Sequence, residues 1–193
     1  MPGSKEEQNM NWKKLLCAGL SGALLTGALA GCGTTDSQPS ATPAADDIAY
    51  QATGLPRDTV LFTVDGRDVT ADQYLYWLLT SISNAKNAGY LADDTAWEEE
   101  IEGTPTADYL KQNAQDISKL YAAVANHAEA VGATVTEEQR AEAEEQLEQM
   151  GSMYEMYYGL TMQEWLDQQC ITRESYLSLN DAYYQVQNLQ SSM

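Results

Sequence analysis

ADYLKQNAQDISKLYAAVANHAEAV, residues 107–131, decides the fold class. Leu110, Ala114, Ile117, Tyr121, Val124, Ala128 and Val131 recur at steps of four and three without a break. That is the period of one face of an α-helix. Gly132 follows as a C-terminal stop. The same rhythm extends on both sides. Residues 71–87 carry Tyr74, Trp77, Leu78, Ile82 and Ala85; residues 137–158 carry Ala143, Leu147, Met150, Tyr154 and Tyr157. Residues 162–169 carry Trp165 and Leu166; residues 173–190 carry Tyr176, Leu179, Tyr183 and Val186.

The helix starts are marked as well. Thr70, Thr136 and Thr161 are each followed three residues later by Gln or Glu, the pattern of a capping box. Thr106 and Thr172 are simple Thr caps. Gly151 interrupts the third long stripe without ending it, so one helix to Tyr158 with a weak point is expected, closed by Gly159. Between 88 and 105 lies a loop, with at most a helical turn over 97–101.

Upstream, Val60-Leu61-Phe62-Thr63-Val64 is the only β-like run, and Asp65-Gly66 marks a turn after it. Arg67-Asp68-Val69 is at best a weak partner. The expected fold is therefore mainly α: about five helices in an open array with one short N-terminal β-strand.

Residues 12–32, WKKLLCAGLSGALLTGALAGC, have the basic start, apolar stretch and small-residue end of a secretory signal. The apolar stretch is about 16 residues, short of the ~20 needed to span a bilayer. Leu29-Ala30-Gly31-Cys32 resembles a bacterial lipobox, which implies cleavage before Cys32, acylation of its thiol and anchoring on the extracytoplasmic face of a cell membrane. Met10 is an alternative start. Residues 33–57 are rich in Gly, Ser, Thr, Pro, Ala and Asp and read as a flexible tether. Three segments follow: a signal peptide over 1–31, a lipid-anchored linker over 32–57 and a helical domain over 58–193.

Composition removes several functions. With 29 acidic residues against 10 Lys and Arg in 193, the chain lacks the basic face that a nucleic-acid partner requires. One His excludes a two-His metal site. The acidic runs at 93–94, 98–102 and 142–148 lack calcium-loop spacing and read as solvated faces. No nucleophile elbow or phosphate loop is present in the sequence. No catalytic residue, metal or cofactor is expected. His127 reads as a helix-flank residue. Of three Cys, Cys17 leaves with the signal and Cys32 carries lipid, which leaves Cys170 as a small buried apolar residue.

The candidate site is a cluster of soft and aromatic side chains. Met150, Met153, Tyr154, Met156, Tyr157, Tyr158 and Met162 fall within 13 residues, and Trp165 follows. Met is deformable, and Tyr offers flat apolar area with a polar tip. Met153 and Met156 lie off the core stripe, so that helix is apolar on more than one face. Met150, Met153, Tyr154, Tyr157, Tyr158, Met162 and Trp165 are the expected peptide-binding residues.

VLFTVDGRDVTADQY (60–74), YGLTMQEWL (158–166) and ITRESY (171–176) resemble motifs of SurA N-terminal-like domains, as found in PrsA-type foldase lipoproteins. The resemblance covers most of 58–190. It implies a membrane-anchored extracytoplasmic chaperone or foldase that holds unfolded secreted polypeptides. Such proteins commonly carry a parvulin prolyl-isomerase domain after this region, with a pair of His in its site. Nothing after the last helix here would form one, and His127 is alone. The expectation is either a truncated isomerase or a relative without that activity. A dimerising assembly lipoprotein, with the strand at 60–64 pairing between chains as a homodimer, is the third reading.

Overall fold

The computed structural model describes residues 47–191. The expected signal segment, Cys17, the expected lipidation site Cys32 and the expected linker as far as 46 lie outside them. Six helices run α1 (Ile48–Thr53), α2 (Ala71–Asn87), α3 (Thr106–Val131), α4 (Glu137–Tyr158), α5 (Met162–Gln168) and α6 (Arg173–Ser191). Two strands, β1 (Val60–Val64) and β2 (Arg67–Thr70), precede α2. A 3-10 turn, Asp94–Glu98, leads into a tiny ribbon of β3 (Glu100–Ile101) and β4 (Thr104–Pro105). The mainly helical class holds, and the starts and ends of the four longer predicted helices fall within a residue or two of expectation.

Local chemistry accounts for those boundaries. At α4, Thr136 Oγ1 accepts from the Gln139 N–H (3.2 Å), and Gln139 Oε1 accepts from the Thr136 N–H (3.1 Å). At α5 the same reciprocal pair joins Thr161 and Glu164, at 3.2 and 2.8 Å. Each box satisfies two of the backbone donors that a helix start leaves unpaired.

Four expectations are corrected. First, the single strand is a hairpin: β1 and β2 pair antiparallel, with Val64 opposite Arg67. Asp65 and Gly66 take φ of 50° and 84°. Positive φ at both central residues is what a tight two-residue hairpin turn demands, and Asp-Gly tolerates it. A bulge between Val60 and Phe62 breaks the strict alternation, so Leu61 is half-buried beside Phe62 and Val64, while Val60 is exposed. The hairpin's fully buried side chain is Val69.

Second, order begins inside the expected tether. Asp47 Oδ1 caps α1 by accepting from the N–H groups of Ala49 (2.9 Å) and Tyr50 (3.2 Å). Ala49 has no exposure and packs in the main core. Third, α6 is rotated from its predicted stripe. Leu177 and Tyr184 are buried, whereas Tyr183 is 64 % exposed. The turn is set by polar pairs toward α4: Arg140 with Asp181, and Gln139 with Asn188 (2.9 Å). Fourth, α3 buries Ser118 and Ala122 where the stripe pointed to Ile117 and Tyr121, which are half-buried, and Val131 is exposed. Small side chains let neighbouring helices approach that face.

Two cores result. The larger joins Leu75, Leu78, Ile82 and Ala85 of α2 to Leu110 and Ala114 of α3, with Leu91, Ala96, Ala49 and Cys170. The smaller joins Ala143 and Leu147 of α4 to Leu177 and Tyr184 of α6. Burying one Leu fully is worth about 1.5–3 kcal/mol, so the two together carry the fold. A polar clasp links them to the helix starts. The buried Asp72 carboxylate accepts from the Gln73 N–H (2.8 Å), the Thr172 N–H (3.3 Å) and Thr172 Oγ1 (3.1 Å), which binds the first turn of α2 to the first turn of α6.

Candidate functional site

The Met and Tyr cluster sits where α4 ends and α5 begins. The chain can turn there because Gly159 adopts φ 64°, a left-handed C-cap. Thr161 then restarts the helix. Close approach of the two helices depends on Gly151: a Cβ at that position would lie 3.0 Å from Met162 Cβ and 3.3 Å from its sulfur. The glycine expected to be a weak point is thus the contact surface for α5.

That approach divides the seven candidates into two groups. Met150 and Met162 are half-buried and pack on the smaller core. Tyr154 and Trp165 are half-buried as well, with ring centroids 5.3 Å apart. Met153, Tyr157 and Tyr158 are 54, 74 and 67 % exposed. Tyr157, placed on the core stripe by its spacing, is therefore a surface residue. The reason is that α4 runs past the end of its contact with α6, so its last turn has no helix to bury against. Met156, at 76 % exposure, joins the surface group. Met153, Met156 and Tyr157 are three and four residues apart and share one solvent-facing stripe.

The half-buried rings continue into the protein. Tyr158 meets Tyr154 at 5.5 Å, Trp165 meets Tyr176 edge-on at 5.4 Å, and Tyr176 meets Tyr76 edge-on at 5.7 Å. Tyr76 then contacts Trp77 at 5.0 Å, and Trp77 contacts Tyr121 at 4.5 Å. Seven rings on five helices form one unbroken series. Each such pair adds about 0.5–1.5 kcal/mol beyond area burial, so the exposed aromatic end rests on a stiff base. Burial, with the charges of Tyr176, Tyr121 and Tyr154 adding to it, pushes the Tyr76 hydroxyl up to about 12. Tyr76 and Tyr176 were missed as part of the site. Tyr176 was readable as a core position, but nothing local to Tyr76 marks it.

The surroundings are acidic. α4 carries seven Glu and one Arg. Glu142, Glu144, Glu145, Glu148 and Glu155 are exposed, in agreement with a solvated face. α5 also lines a cleft of about 610 Å³ whose walls include Arg57, Gln163, Asp167 and Arg173. His127 is exposed on α3. Cys170 is fully buried, and burial pushes its thiol up to about 12 despite the opposing charge of Arg57. Among the described residues, no group of three or more His, Cys, Asp or Glu is placed to hold a metal ion, and no helix is long and apolar enough to cross a membrane. What this surface offers is flat rings, thioethers and phenol hydroxyls within an acidic field.

The chain matches no family model, no curated protein and no solved structure.

Proposed function

We propose that the chain is a chaperone-like lipoprotein that holds unfolded secreted polypeptides through the end of α4. It would be carried on the extracytoplasmic face of a bacterial membrane by lipid at Cys32. The observation that carries this reading is the exposure of Met153, Met156, Tyr157 and Tyr158 together, each more than half open to solvent. Large apolar side chains gathered at one place on a surface mark an interaction site. Thioethers and tyrosines adapt to many apolar sequences. The acidic field of α4 supports the same reading, because it attracts segments bearing Lys and Arg and repels acidic ones.

The test is suppression of aggregation of a chemically unfolded client by the full chain, made lipid-free by Cys32→Ser. Wild type should slow aggregation at near-equimolar ratio. Tyr157→Ser with Tyr158→Ser should weaken the effect several-fold, while the melting temperature falls by no more than about 5 °C, the loss of the single Tyr158–Tyr154 ring contact. A wild-type chain that leaves aggregation unchanged would end this proposal.

A further inference from the structure

The exposed face of α4 changes character along its length. Glu138, Glu142, Glu145, Gln149, Met153 and Met156 are all exposed, and they follow one another at steps of four, three, four, four and three. At about 100° per residue those steps keep them on one face of the helix. That face is acidic toward the start of α4 and apolar toward its end, with Gln149 between. Glu148, on the flank, is neutralised within the protein by Arg173 at 2.7 Å. Glu138, Glu142 and Glu145 pair with no Lys or Arg among the described residues. Gln146 and Gln149 donate to Glu142 and Glu145 at 3.2 and 3.1 Å, but an amide brings no charge.

This row of charge limits what can cover the apolar end. A second copy laid parallel sets Glu against Glu; laid antiparallel it sets Glu against Met. Neither is complementary, and the formal charge of -19 on each chain opposes both. An anionic lipid surface or a nucleic acid meets the same repulsion. The complement is a polypeptide segment with apolar side chains at one point and Lys or Arg at another. The helix sets the spacing between the two. Glu145 and Glu142 precede Met153 by eight and eleven residues, about 12 and 16 Å along the axis. An extended segment advances about 3.3 Å per residue, so its cations fall about four to five positions from its apolar anchor.

We propose that α4 takes its clients in register: Met153, Met156 and Tyr157 hold an apolar anchor, while Glu142 and Glu145 select Lys or Arg about four to five residues away from it in an extended segment. This rests on the client-holding function proposed for the same surface, and it names the class of segment preferred there. The preference depends on position as well as on overall acidity. Glu144 and Glu155 carry the same charge and are exposed, yet both lie about half a turn round the helix from Met153, off the row.

The experiment measures fluorescence anisotropy of labelled synthetic peptides with the full chain carrying Cys32→Ser. Each peptide has a Phe-Leu-Phe anchor, a Gly/Ser spacer and a terminal pair, made in both chain directions with the tighter one taken. The terminal pair is Lys-Lys, Ser-Ser or Glu-Glu, and the Lys-Lys peptide is also made without a spacer. With a four-residue spacer, Lys-Lys should bind about fivefold more tightly than Ser-Ser, the gain of two exposed ion pairs, and Glu-Glu more weakly than either. Without the spacer most of the Lys-Lys gain should vanish, and high salt should remove the rest. Glu142→Gln with Glu145→Gln should abolish the gain and leave Ser-Ser binding unchanged. Glu144→Gln with Glu155→Gln removes as much charge and should keep the gain. Equal binding of Lys-Lys and Ser-Ser overturns the inference but leaves client holding intact. So does an equal loss in the two Glu→Gln pairs, which makes the attraction a general field without register. A chain that binds none of the peptides, the Ser-Ser one included, ends the client-holding reading and this inference with it.

Discussion

Replacing Arg57 with Met should detach α1 while leaving the rest of the helical array folded. Arg57 Nε donates to Asp47 Oδ2 at 2.8 Å, one terminal nitrogen donates to the Ile171 carbonyl at 3.1 Å, and the other to Asp167 Oδ1 at 3.0 Å. Its side chain is only 13 % exposed, and that of Asp47 is 15 % exposed. Burial alone would lower the pKa of Arg57, yet the hydrogen bond and charge of Asp47, with the charge of Asp167, outweigh it and raise the value above the ordinary one. The guanidinium is therefore firmly charged, and its partners depend on it.

The magnitude follows arm by arm. Losing the Asp47 arm and orphaning the Ile171 carbonyl costs about 2–3 kcal/mol, since the partners stay largely buried. Asp167 is 39 % exposed, so that arm is screened and adds about 0.5 kcal/mol at most. The expected loss is about 3 kcal/mol, read from the urea midpoint by circular dichroism. The local effect should be sharper. α1 has six residues, far fewer than the ~12 that a helix needs to persist alone. The Gln51 N–H to Asp47 carbonyl and Gly54 N–H to Tyr50 carbonyl bonds should lose their protection in hydrogen exchange. Arg57→Lys keeps the charge but not the fork and should fall between. If Arg57→Met costs less than about 1 kcal/mol and those two amides stay protected, then α1 is held by Ala49 packing alone and the reasoning is wrong.

Two further predictions concern Cys170 and Gly151. Native Cys170 should resist iodoacetamide at pH 8 and react fully once unfolded. Because the folded thiol holds its proton up to about 12 against 9.0 for the free group, its contribution to stability is complete below pH 9 and is lost as pH rises toward 12; wild type should fall faster over that range than Cys170→Ala in urea melts. Gly151→Ala should lower stability by about 1 kcal/mol: helix propensity gains up to about 1, but the new Cβ lies 3.0 Å from Met162 Cβ, and overpacking of this kind costs about 1–3. A raised melting temperature would mean that α5 yields freely.

The helices were legible because their signals are local. A Thr with Gln or Glu three residues on, a glycine at the end and a repeating apolar step all act within one turn of the chain. The hairpin was half legible for the same reason: Asp65-Gly66 announces the turn, but Arg67-Asp68-Val69 carries only one core residue, Val69, and so reads as no more than a weak partner. α1 was illegible because six residues cannot display a period, and its composition matches that of the tether before it. For the candidate site, Met150 to Trp165 could be gathered from spacing, but which of them face solvent depends on where α6 stops covering α4. Tyr157 obeys the core stripe and is still exposed, since a stripe describes one helix and burial needs a second.

Sequence separation also explains why the polar framework escaped notice. Asp72 reads as an ordinary acidic residue in a helix's first turn, where it favours the dipole. Its buried carboxylate instead meets Thr172, 100 positions away, and Arg57 reaches Asp167 across 110. These two contacts tie the chain leading into α2 to both ends of the α5–α6 connection, so the rings of Trp165 and Tyr176 are positioned relative to Tyr76 by polar contacts, the buried Asp72–Thr172 one above all, as well as by their own. A surface that binds varied apolar segments gains little if it deforms to bury itself first. On the proposed function, the clasp at Arg57 and Asp72 has a definite consequence: it holds Tyr154 and Trp165 as a rigid floor while the unsupported last turn of α4 presents Met153, Met156, Tyr157 and Tyr158 outward. Loosening the clasp should therefore weaken client holding even though none of its residues lies on the binding surface.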